Sequence, residues 1–192
     1  FVKTLRKMKT KIIILISIIS IGFVGCKNEK SQEDKASAVI EEVQPETNDQ
    51  FKVSLNVIVK KDDNFQLYYT EKTSSDFNEK ESVWVEVKGN DQPQTVVFML
   101  PKEVVPSMFR LDFGINDVQE DVVFKGFKMD YLGKNFSSEG PIMANYFRPI
   151  SNDDIDFSTG VIKAKLANGK RVEPALYPHE IPLGEEINKL IK

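Results

Sequence analysis

The sequence predicts an all-β domain, an antiparallel β-sandwich with a short C-terminal helix, preceded by a signal peptide and a flexible tether. Three observations lead there. Beyond Gln50, apolar and polar residues alternate in short runs, the period of two that marks half-buried strands. Turn-forming residues recur between those runs. The stretch before them has neither feature: an apolar segment follows basic residues, and a charged segment without aromatics follows that.

At the start, Lys7, Lys9 and Lys11 precede an apolar run from Ile12 to Val24, interrupted only by Ser17, Ser20 and Gly22. A membrane-spanning helix needs about 20 apolar residues. A shorter run, basic before it and ending in small residues, has the layout of a signal peptide over residues 1–25, with Met8 as an alternative start. The ending Phe23-Val24-Gly25-Cys26 resembles a bacterial lipobox, although Phe stands where Leu is commoner. The resemblance implies that the Cys26 thiol is diacylglycerylated, that the chain is cut before it, and that the new amine is acylated. Each buried CH₂ of such an anchor contributes about 0.8 kcal/mol. The expected partner is therefore a lipid bilayer, and the expected location the cell envelope, outside the cytoplasm. A plain signal peptide with an incidental cysteine and an uncleaved signal anchor compete with this reading. The only cysteine of the chain, placed where the apolar run stops, favours lipidation.

Residues 26–49 are polar and charged, too poor in apolar surface to offset ordering entropy, and read as a tether. Residues 50–180 hold the strand pattern, and residues 181–192 the helix.

Composition narrows the chemistry. The five basic residues of segment 1–25 are Lys3, Arg6, Lys7, Lys9 and Lys11; removing them leaves 21 basic residues against 29 acids, a net charge of −8 instead of −3. Such a chain is a poor partner for a phosphate backbone, so no nucleic acid is expected. One cysteine allows no internal disulfide. One histidine, His179, leaves no His/Cys cluster for zinc and weakens a Ser/His/Asp triad. His179 itself reads as a surface loop residue between prolines.

The strands follow in order. FKVSLNVIV puts Phe51, Val53, Leu55, Val57 and Val59 on one face. After the turn KDDN, FQLYYTE aligns Phe65, Leu67 and Tyr69, and SVWVEVKG aligns Val83, Val85 and Val87. QTVVFMLP, MFRLDFG and VVFKGFKMDY continue the pattern, which suits Val, Phe, Ile and Tyr. The last run slips phase at Lys125-Gly126 and reads as a β-bulge in which Gly supplies unusual backbone angles. FSTGVIKAKL and KRVEPALY flank Asn168-Gly169, a strong hairpin signal. LGEEINKLI spaces Leu183, Ile187, Leu190 and Ile191 along one helix face.

The string from FQLYYTE through FRLDFG to YFRP, about residues 51–160, resembles the jelly-roll domains of the galactose-binding, or carbohydrate-binding-module-like, type. The phrase Arg110-Leu111-Asp112 before the bulged strand carries the likeness. It implies a jelly-roll fold and an association with envelope polysaccharide. The chain departs from sugar-binding modules in lacking their recognisable set of aromatic ligand residues.

Candidate ligand-binding residues follow from the alternation. With Val83 and Val85 inward, Trp84 faces outward with Ser82, Glu86 and Lys88, and Tyr68 faces outward with Gln66 and Thr70 on the neighbouring run. An exposed aromatic beside polar groups can stack on a sugar ring while its neighbours take the hydroxyls. The competing reading buries Trp84 under a loop or the C-terminal helix. Arg110 and Asp112 share a face and either clamp a polar ligand or form a structural ion pair. Asn152, Asp153, Asp154 and Asp156 offer oxygen ligands for a structural calcium, but one acidic loop supplies only part of the six to eight oxygens that calcium takes, and such runs also form turns. No other cofactor is expected.

The functional expectation is a non-catalytic, membrane-anchored module that binds a glycan or serves envelope polysaccharide machinery. A structural lipoprotein docking an envelope membrane protein is the alternative. A hydrolase would need a glycosidase-type carboxylate pair, which no motif singles out.

Overall fold

The computed structural model describes residues 49–151 and 154–192. The signal peptide, Cys26, all of the expected tether except Asp49, and Asn152 and Asp153 lie outside the described residues. Thirteen strands, one 3₁₀ turn and one helix make up what is described. They are β1 (Lys52–Val59), β2 (Asp63–Thr70), β3 (Ser82–Val87), β4 (Asn90–Met99), β5 (Met108–Asp112), β6 (Val122–Tyr131) and β7 (Lys134–Glu139). After a 3₁₀ turn (Gly140–Asn145) come β8 (Phe147–Pro149), β9 (Ile155–Asp156), β10 (Val161–Ile162), β11 (Leu166–Ala167), β12 (Lys170–Arg171), β13 (Ala175–Pro178) and α1 (Glu180–Ile191).

The class is all-β, with antiparallel pairing throughout. One sheet runs β4-β1-β6-β10-β9, with β7 also paired to β6; the other runs β3-β2-β5-β13-β8. The alternation read from the sequence sets which residues enter the core. Phe51, Val53, Leu55, Val57 and Val59 are all buried, as are Phe65, Leu67 and Tyr69. Val83 and Val85, on the edge strand β3, are only partly buried, and Val87 is buried. The apolar faces of the two sheets meet in one core. Between ring centres, Phe127 of β6 lies 5.0 Å from Phe147 of β8 and 6.4 Å from Phe109 of β5, joining one sheet to the other, and Phe113, just beyond β5, lies 5.2 Å from Phe124 of β6. Leu183, Ile187 and Leu190 of α1 complete the same core. Ile191, expected on that face, is exposed, because the buried stripe turns away before the last residue. Among the described residues no helix is long and apolar enough to cross a membrane.

Three local expectations are refined. The bulge lies where the phase slip placed it: Asn56 opposes Gly126 while Val57 opposes Phe124, so Lys125 is the extra residue. Gly126 is not there for its backbone angles, since its φ is not positive. It is there for space: a Cβ would come within 2.7 Å of the Glu139 side chain and 2.9 Å of the Ser138 carbonyl oxygen. The Asn168-Gly169 turn has positive φ at both residues, 52° and 76°, the type I′ signature. Its hairpin is much shorter than expected, only β11 and β12, because Pro174 interrupts the run and β13 pairs instead with β5 and β8. His179 is half-buried at the N-cap of α1 rather than free in a loop.

A buried aspartate organises the turn after β5. The Asp63 carboxylate accepts backbone N–H bonds from Ile115 (2.8 Å) and Asn116 (3.0 Å) and a side-chain bond from Gln119 (3.0 Å). Gly114 (φ 96°) lets the chain pass: a Cβ there would sit 2.2 Å from an Asp63 oxygen. A buried carboxylate satisfied in this way ties β2 to the segment that leads into β6.

Gly126→Ala is expected to destabilise the domain by about 1–3 kcal/mol through overpacking against β7. The midpoint of urea unfolding should fall with an unchanged slope. An unchanged midpoint would show that Glu139 gives way without cost.

Candidate functional site: the outer face of the second sheet

Strand order and register decide which predicted residues meet. Trp84 opposes Gln66, Gln66 opposes Asp112, and Asp112 opposes Ala175, forming one row across the outer face. The next row holds Ser82, Tyr68 and Arg110, and continues through Tyr177 to Arg148. Tyr68, Trp84, Arg110 and Asp112 thus share one patch. Glu86 stands on the same face farther along β3, exposed and ion-paired with Lys88.

Trp84 is 46% exposed, so neither a loop nor α1 covers it. Tyr68 is half-buried. Its hydroxyl donates to Glu79 (2.6 Å), and Gln66 donates to the other Glu79 oxygen (3.0 Å) and to the Ser82 hydroxyl (2.9 Å). These bonds, from Tyr68 first and Gln66 next, with a smaller contribution from Trp84, hold the Glu79 carboxyl below the usual carboxylate range. Burial pushes the Tyr68 phenol up to about 12, and the negative Glu79 beside it adds to that.

Arg110 is the centre of the patch. Its guanidinium lies 4.4 Å from the centre of the Tyr68 ring and 4.9 Å from that of Tyr177, held between two aromatic faces. It donates to Asp112 through Nε (2.7 Å) and through a second, shorter bond, and to the Tyr177 hydroxyl (3.0 Å). Asp112 is only 6% exposed. Burial lifts its pKa above the ordinary aspartate value even though Arg110 pulls the other way. For Arg110, burial works against the charge, yet the Asp112 bonds and charge together with the two phenols leave its pKa raised. Breaking such a buried pair by removing one partner costs about 3–5 kcal/mol. Both groups thus have their hydrogen bonds directed within the protein.

Sequence reasoning turned Gln66 outward beside Tyr68 without assigning it to the site, and it missed Glu79, Tyr177 and Arg148. Glu79 comes from the irregular segment between β2 and β3, where no periodicity assigns a face. Tyr177 and Arg148 reach the patch only because β13 inserts between β5 and β8. Of the acidic run, Asp154 accepts from Lys165 (2.7 Å) and from the Ser151 N–H (2.7 Å). Asp156 accepts from Ser158 and Thr159, the pattern of a side-chain-stabilised turn. Among the described residues no group of three or more His, Cys, Asp or Glu side chains is arranged to hold a metal ion.

The raised Tyr68 pKa has a defined consequence at high pH. The neutral phenol is preferred in the folded protein, so its contribution to stability is complete below pH about 10 and is lost as pH rises through about 12. In an ultraviolet titration, the difference between the parent chain and Tyr68→Phe should show one phenol ionising near the upper value. Glu79→Gln should bring it part of the way back towards 10. Ionisation of that phenol near 10 in the parent would contradict the burial and bonding described.

No known protein family, curated protein or solved structure matches the chain.

Proposed function

We propose that the chain is a non-catalytic, membrane-tethered module whose β-strands form a sandwich of jelly-roll type and whose outer Trp84 face binds a glycan of the cell envelope or its surroundings. The observation that carries this reading is the half-exposed Trp84 indole, standing in register with Gln66 and Asp112 and next to the Tyr68–Arg110–Tyr177 row. An exposed indole, with the exposed Glu86 and Lys88 farther along the same chain, has the chemistry of a pyranose platform: C–H groups stack on the ring, and hydroxyls bond at its margin. The network behind it is already satisfied, which supports a preorganised surface that loses little side-chain entropy on binding. Attachment to the bilayer through acylated Cys26 would hold this face near envelope polysaccharide, and it is supported by the lipobox-like ending alone.

The second reading, docking of an envelope membrane protein, is favoured by Ile181, which is 75% exposed at the start of α1. Crosslinking in cells separates the two, because a captured protein with no associated glycan supports docking.

Two outcomes are expected. Across a panel of envelope and environmental glycans, the full chain binds at least one, and Trp84→Ala lowers that affinity roughly tenfold or more while leaving the unfolding midpoint unchanged. Unchanged binding in the variant removes Trp84 from the site. Fatty-acid labelling marks the parent chain in bacterial cells but not Cys26→Ser, and labelling of neither removes the anchor.

A further inference from the structure

Two arginines flank the Tyr177 ring, and only one of them has its donors engaged. Arg110 bonds to Asp112 and to the Tyr177 hydroxyl. Arg148 on β8 is exposed, with its guanidinium carbon 5.5 Å from the Tyr177 ring centre, and that guanidinium makes no hydrogen bond or ion pair among the described residues. Contact with an aromatic ring restricts the plane of a guanidinium and leaves its N–H edge open. That edge matches a carboxylate through two parallel hydrogen bonds.

The same side chain lines a cleft of about 630 Å³ between the 3₁₀ turn, the end of β13 and the first turn of α1, with Asn145, His179 and Ile181 among its walls. Glu180 also lines the cleft, and its carboxylate accepts the Ser75 hydroxyl (2.8 Å). The cleft continues the Tyr68–Arg110–Tyr177 row, four strands away from β3 in the order of the sheet. At the usual strand spacing that is about 19 Å.

We infer that this cleft is a subsite for the carboxylate of an acidic sugar, and that the ligand of the outer face is an extended, uronate-bearing oligosaccharide. The inference rests on the reading of the Trp84 face as a glycan surface. A single ring cannot reach both Trp84 and Arg148. A chain of several rings can stack on one and present a carboxylate to the other.

The test compares polygalacturonate with its fully methyl-esterified form, which keeps the backbone and caps the charge, and dextran sulfate with dextran. The full chain should bind polygalacturonate roughly tenfold or more tightly than the ester, as expected for hydrogen bonds to a charged group. Arg148→Ala should erase that difference with no change in the unfolding midpoint. Arg148→Lys should restore only part of it, because an ammonium lacks the planar fork. Trp84→Ala should weaken both forms. Equal affinity for acid and ester, or a preference that survives Arg148→Ala, overturns the inference and leaves the glycan reading standing. An equal gain from dextran to dextran sulfate also overturns it, in favour of general attraction for polyanions. A neutral glycan bound through Trp84 without binding of polygalacturonate overturns the inference alone. Failure to bind any glycan overturns both.

Discussion

The fold depends on aromatic contact between the two sheets. With one cysteine in the chain, no internal disulfide can hold them together, so packing must. Phe127 against Phe109 and Phe147 joins β6 of one sheet to β5 and β8 of the other, and Phe113, just beyond β5, packs on Phe124 of β6. Each buried Phe contributes about 1.5–3 kcal/mol by leaving water, and each well-placed aromatic pair about 0.5–1.5 kcal/mol more. Phe127 also meets Phe136 of β7 and Tyr146 beyond the 3₁₀ turn, so this one side chain links the sheets to the segment between them. The bulge at Lys125 is what turns Phe127 inward after Phe124: without the extra residue, a spacing of three would send one of the two to the outside.

The outer face of the second sheet follows from the same constraint. Once Phe65, Leu67, Phe109 and Leu111 are committed to the core, Gln66, Tyr68, Arg110 and Asp112 must point away from it. Their side chains bond to one another and to Glu79, so the polar layer is rigid before any ligand arrives. Trp84, on the edge strand, and Arg148, at the opposite edge, are the members left open. A fixed centre with exposed groups at both margins is the geometry on which the proposed elongated glycan would lie.

Legibility in the sequence tracked the strength of local pattern. The long strands β1, β2 and β6, the bulge, the Asn-Gly turn and α1 each have a periodicity or a turn dipeptide of their own. β7, Lys-Asn-Phe-Ser-Ser-Glu, passed unnoticed because only Phe136 is apolar and its turn, Leu132-Gly133, lacks the Asn-Gly signature, although both residues have positive φ. β8 and β9 are too short to show alternation. KRVEPALY read as half of a hairpin, whereas its second part, β13, found partners far away in sequence, a pairing no local signal encodes.

The sequence by itself determined the all-β class, which side chains of the long strands face the core, that Trp84 and Tyr68 face away from it, and that Arg110 and Asp112 share one face. It did so because a pleated strand places successive side chains on opposite faces, and burial of one set sends the other outward. Only the tertiary structure decided who meets whom. The order β3-β2-β5-β13-β8 brings Tyr177 and Arg148 beside Arg110, and the segment between β2 and β3 folds Glu79 onto Tyr68 and Gln66. Strand order and register are set by the summed packing of the whole core, and no local stretch of chain contains that information.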